Sequence, residues 1–147
     1  ILAAKDMSEA DLTAWLDGTK NKDHNFKSYL TADEMSRLVA FMKSGIVDHS
    51  AFVNADNTAK GDATHGKTLF NSVCQICHGA DGKSINFKAD EGGTEYVGNV
   101  ATEEPFGFFH VGSVGFPGAH MPAGMNLGWT EQDIADLLAY AQTLPTK

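Results

Sequence analysis

The chain is short of cysteine, of proline and of long apolar runs. Among its 147 residues are two Cys and four Pro, and no apolar stretch reaches eighteen residues. Without such a stretch nothing in the sequence reads as a membrane-spanning helix. Two cysteines leave no second pair at matching spacing to complete a structural zinc site. Basic residues are also scarce, with 11 Lys and Arg against 19 Asp and Glu and a net charge of −8. That balance lacks the basic stripe nucleic acid requires and excludes it as the expected partner. The deficit is steeper from Gly61 onward, where four Lys face ten acids. An acidic surface of this kind suits docking on basic protein partners, at rates that fall as salt rises.

What remains is ordinary for a globular chain, 42% hydrophobic and 20% charged, and the length suits one domain or a small domain with an extension. Most of the 15 Gly follow Gly61, which predicts a loop-rich second half. The first residue is Ile1, not Met. A removed targeting peptide, and with it an exported, periplasmic protein, is the expectation.

The two cysteines stand three apart and are followed at once by histidine, in Cys74-Gln75-Ile76-Cys77-His78. A Cys-x-x-Cys pair can be a disulfide, a redox dithiol or half of a metal site. Covalent haem attachment uses all three side chains: two thiols add to the porphyrin vinyl groups, and the adjacent imidazole reaches the iron. The preceding segment, Lys60 to Val73, reads as a helix with Leu69, Phe70 and Val73 on one stripe, started by Asp62 or Thr64.

Gly66, Phe70, Cys74, Cys77, His78 and Gly79 together resemble the opening of a class I c-type cytochrome. The resemblance implies an all-α cytochrome c fold, helices wrapped round one covalent haem c with glycine-rich loops. It makes Gly66 the place where the last helix crosses closely and Phe70 the aromatic packed beside it. It also implies an iron centre held by His78 on one side. Downstream, Gly115-Phe-Pro-Gly-Ala-His-Met121-Pro-Ala is similar to the methionine loop of bacterial members, which implies Met121 as the sixth ligand. A thioether is a soft neutral ligand that raises the reduction potential. Met125 is the alternative for a shifted loop, and His110 or His120 would give bis-histidine ligation.

At the C-terminal end, Thr130-Glu-Gln-Asp predicts a capping box, with Trp129 and Ile134 spaced as a hydrophobic staple. Ile134, Leu137, Leu138 and Ala141 form the apolar stripe, and Pro145 stops the helix. Tyr140 matches the aromatic of the family's last helix. The cytochrome pattern spans 61–147. Mono-haem relatives place a proline loop soon after the haem motif, whose carbonyl receives the histidine's other nitrogen; no Pro lies between His78 and Pro105. Asn86, Phe87, Tyr96 and Val97 are the candidates to line or cover haem in that stretch, or to pack without it.

Residues 1–60 are expected to be a haem-free helical extension. One helix starts at Ser8 and carries Leu12, Trp15 and Leu16 up to Gly18; the next starts at Thr31, buries Met35, Leu38, Val39 and Met42, and closes at Gly45. Residues 46–60 read as an irregular connector. His24 and His49 are expected to face solvent. Thr31–Phe41 matches Thr130–Tyr140 in cap, acid, stripe and aromatic, which suggests descent from the tail of an upstream cytochrome domain. Convergence of two amphipathic helices explains the same pattern.

These readings lead to an electron-transfer protein, not an enzyme in its own right, that passes electrons between redox proteins. A haem subunit of a larger redox enzyme is the alternative, and a catalytic or gas-sensing haem with a labile sixth position is another.

Overall fold

Four of the α-helices in the computed structural model, which describes residue 4, residues 6–45 and residues 49–147, begin where side-chain oxygens meet free first-turn N–H groups. Ser8 caps α1 (Glu9–Leu16), and Thr31 forms a capping box with Glu34 at α2 (Ala32–Ala40). The chain divides into two compact units, 1–48 and 49–147.

In the first unit α2 packs on α1, and Leu12, Leu16, Met35 and Val39 form the core. The turn after Ala40 widens into a π-type segment, Phe41–Gly45, so the helical run ends at the expected glycine. Between the helices the loop is closed by an antiparallel bridge, Asp17 to Asn25. His24 is exposed as expected, edge-on to Trp15 and Phe26.

The second unit holds α3 (Ala63–Leu69), α4 (Gln75–His78), α5 (Val97–Glu103), α6 (Pro105–Val114) and α7 (Glu131–Ala141). Among the described residues this is an all-α fold, with two isolated bridges, Val53 to Ala59 and Phe116 to Met121, in place of a sheet. Asp62 caps α3, and Thr130 forms a capping box with Asp133 on α7. Ile134, Leu137, Leu138 and Ala141 are buried, as the stripe requires, and each of the three larger side chains contributes about 1.5–3 kcal/mol of apolar burial, the Ala141 methyl less. Trp129, one residue before the cap, packs on the same core.

The tight contact is α3 on α7. A side chain at Gly66 would lie 1.8 Å from the carbonyl oxygen of Asp136, and one at Gly61 would lie 2.3 Å from that of Ala135. Only hydrogen at these positions lets the two backbones meet. Beside the crossing Phe70 is buried and meets Tyr140 edge-on at 5.4 Å. Asp136, also buried, accepts from the Asp62 backbone N–H and from Gln132, and pairs with His65 Nδ1 at 2.8 Å.

The second unit starts at His49, ahead of the expected boundary. Of the expected connector, residues 46–48 lie outside the described residues. The rest packs: Val53 is in the core and bridges to Ala59. His49 does not face solvent. It is buried with its ring 4.3 Å from that of Phe109, because the phenylalanine-rich α6 needs cover that this segment supplies. Gln142 ties the segment down, accepting from Ala59 N–H and donating to the carbonyls of Asn57 and Ala101.

The order helix, bridged loop, capped helix occurs twice. It runs α1, Asp17–Asn25 bridge, α2 in the first unit and α6, Phe116–Met121 bridge, α7 in the second.

Candidate functional site

Cys74, Cys77 and His78 sit on one continuous helical rod. α3 does not stop at Leu69; its ladder loosens to a π-type turn over Phe70–Cys74 and tightens again as α4. π-type turns inside helices often mark functional positions, because the extra residue per turn re-aims the side chains beyond it. Here those side chains are the cysteines and the histidine.

The two thiols differ in setting. Cys74 is half-buried against the core, and burial pushes its thiol up to about 11, so it stays protonated at neutral pH. Cys77 is exposed, and neither thiol is in a disulfide. A reactive redox dithiol needs a stabilised thiolate, and Cys74 is the reverse.

His78 is held by its place on α4 and by the turn that follows. Gly79, at φ +77, ends the helix, and the His78 carbonyl then accepts from Ser84 N–H at 2.9 Å. Burial lowers the imidazole's pKa, which favours the neutral form that ligates metals. Its Nδ1 is buried and has no hydrogen-bond partner among the described residues. The ring meets Phe87 edge-on at 5.9 Å.

Met121 lies on a separate loop, after α6. Its backbone exchanges both hydrogen bonds with Phe116, at 3.0 and 3.2 Å. The side chain is half-buried, whereas Met125 is 62% exposed and His110 and His120 are also exposed. The residues read from the sequence thus fall on two supports, the α3–α4 rod and the Phe116–Met121 hairpin.

Of the other candidates, Val97 is plain core. Tyr96 lies under the Lys83 ammonium, 5.3 Å from ring centroid to Nζ. Asn86 organises its loop, accepting from the N–H groups of Lys88 and Glu95 and donating to the Gly93 carbonyl. Phe87 is the one that reaches the haem-motif turn. Sequence reasoning gave no role to Ser84, whose N–H closes that turn, or to the left-handed backbone of His120. The Gly79–Ser84 spacing carried no signal for the first; the Gly-x-His-Met order was the only one for the second.

The donor set fits a covalent haem. Two free thiols three residues apart suit two thioether links, and a neutral imidazole follows directly. The second unit also leaves Ile76, Phe87, Val114, Phe116 and Leu127 exposed, on the haem-motif turn and around the methionine hairpin. An apolar macrocycle is the kind of body such side chains cover.

The chain is similar to a thiosulfate dehydrogenase from Psychrobacter arcticus, at 27% identity in an alignment 129 residues long that covers 79% of this chain. The match spans 38% of that relative's length. No solved structure matches. The cytochrome c family model matches residues 63–145, more than half of the chain. With that match, and with a haem-motif turn built on a glycine-crossed helix pair, the chain belongs to the cytochrome c family, haem proteins of electron transfer.

Proposed function

We propose that this chain carries one haem c, joined by thioether bonds to Cys74 and Cys77, with iron held by His78 and Met121. Bound there, haem supplies an iron that exchanges one electron; the protein fixes its ligands and its surroundings. The single observation that carries the reading is the cysteine pair and neutral His78 on one rod whose root is the Gly66 crossing. Met121 is favoured over Met125, His110 and His120 because it is the half-buried one, with its backbone pinned to Phe116.

With His78 and Met121 both as ligands, a bound haem iron would leave no place for substrate, and electron exchange without substrate binding is the chemistry it would supply. We therefore read the chain as a periplasmic carrier between redox proteins with basic docking surfaces. No described helix is long and apolar enough to cross a membrane. Residues 1–60 have no Cys and take no covalent haem of their own. Their helix, bridged loop and capped helix support an origin as the tail of another cytochrome domain.

A second reading has its own support. The relative named a thiosulfate dehydrogenase is matched across 79% of this chain, beyond the cytochrome domain alone. On that reading the chain is the haem-bearing part of a larger oxidoreductase.

The ferric absorption spectrum tests the ligation. A weak band near the red edge, lost in Met121→Ala, is expected from a methionine–iron bond. High-spin features and no such band in the unaltered protein would replace the carrier reading with a labile-site one.

A further inference from the structure

His120, the residue before Met121, is one of two described non-glycine residues with positive φ, at +58°. L-residues with a Cβ avoid this left-handed region, and Asn, Asp and His tolerate it best. Its neighbours over-determine the conformation. Phe116 and Met121 exchange two backbone hydrogen bonds, and the Ala119 N–H also donates to the Phe116 carbonyl at 3.0 Å. A four-residue loop closed so tightly must reverse the chain before Met121, and the left-handed residue makes the reversal.

Behind the loop stands Gly115, also left-handed, at φ +76. A side chain there would lie 2.6 Å from the Met121 carbonyl oxygen and 2.8 Å from the Ala123 nitrogen. The backbone of Met121 is therefore set from both sides, by the turn at His120 and by the close approach at Gly115.

We infer that His120 is a positioning residue for Met121: its left-handed backbone, not its imidazole, aims the methionine at the iron. The inference rests on Met121 being the sixth ligand. The imidazole is exposed and needed for nothing in this account; His serves because it tolerates the turn. Strained backbone of this kind persists where the surroundings hold it, and it clusters at ligand clamps.

The test compares His120→Gly, His120→Asn, His120→Ala and His120→Val in the haem-loaded full chain, by ferric red-edge band and midpoint potential. Gly and Asn should keep both at unaltered values. Ala should raise the Met-off fraction several-fold, since His tolerates the left-handed region that much better than Ala does, and Val should raise it further, with the potential falling in the same order. Equal damage from Gly and Val would overturn the inference, since the imidazole would then be what matters. So would an Ala variant with band and potential unchanged, and because Ala is the mild substitution, a Val variant that fails to fold leaves the test standing. Met121→Ala separates the two levels: if it keeps the band, the ligand assignment fails, whatever the His120 series does.

Discussion

Replacing Gly66 by alanine sets two magnitudes of opposite sign against each other. Intrinsic propensity favours the change, since Ala in a helix is about 1 kcal/mol better than Gly. Packing opposes it. The new Cβ would stand 1.8 Å from the Asp136 carbonyl oxygen and 2.4 Å from its carbon, both backbone atoms that no rotamer relieves. Contacts under 3.0 Å are essentially never seen, so α3 and α7 must part by roughly 1 Å. A gap of that size forfeits a quarter or more of the dispersion well for atoms facing it. For Phe70, Ile134 and Leu137 together that is about 2 kcal/mol, on the scale of full burial of each. The hydrogen bonds from Asp62 N–H and His65 to Asp136, both 2.8 Å, cross the same gap, and loosening them costs about 1 kcal/mol. The sum, less the propensity gain, is a net loss of about 2 kcal/mol. In urea unfolding of the haem-loaded chain the midpoint should fall by about 1 M. Gly107→Ala is the matched control. Gly107 lies exposed on α6, and a Cβ there meets only the Glu104 side chain, at 3.5 Å and beyond. That variant should gain up to about 1 kcal/mol. A Gly66→Ala midpoint at or above the unaltered one would refute the reasoning about the crossing.

His65 gives a pH dependence. The hydrogen bond to Asp136 raises its pKa above the ordinary 6.5, so its stabilisation is complete below 6.5 and fades as pH rises through the raised value. Urea midpoints should decline over that window, and His65→Gln should flatten the decline. Asp136 behaves oppositely: burial pushes its carboxyl up, but His65, Gln132 and the Asp62 N–H outweigh it, so stability is present above 3.8 and is lost as pH falls through the lowered value. Gln142→Ala strands the Ala59 N–H and two carbonyls, and calorimetry should show a loss of about 1–3 kcal/mol. For electron transfer with a basic redox protein, stopped-flow rates should fall about tenfold between low and physiological salt; a flat profile would mean that the −8 charge takes no part in docking.

The legible parts of the fold are those whose signals are local. Ser8, Thr31, Asp62 and Thr130 announce helix starts because a cap is a contact between residues two or three apart. The stripe of α7 is legible for the same reason. The Gly66 crossing is a long-range contact, yet it was readable through a resemblance that joins Gly66, Phe70 and Tyr140. The proposed site's Cys74, Cys77 and His78 stand out in the sequence because covalent haem attachment would require them adjacent. Residues 49–60 were not legible: Val53 and His49 are buried only by what α6 and α7 bring to them, and nothing in their own spacing says so. α5 was hidden likewise. It starts after Tyr96 with no side-chain acceptor on the first-turn N–H groups, only Asn99 reaching back to the Tyr96 N–H. It also holds Gly98 where the carbonyls of Leu144 and Pro145 leave room for no Cβ, at 2.6 Å. The left-handed turn at His120 has only a weak local signature in the Gly-x-His-Met order, since His is one of several residues that tolerate it.

Acid–acetone extraction of the purified, haem-loaded chain addresses the central claim most directly. Thioether bonds to Cys74 and Cys77 predict that the haem stays with the polypeptide and that its mass equals chain plus one haem. Haem recovered in the solvent, with both thiols free on the protein, would contradict covalent attachment and the account built on it.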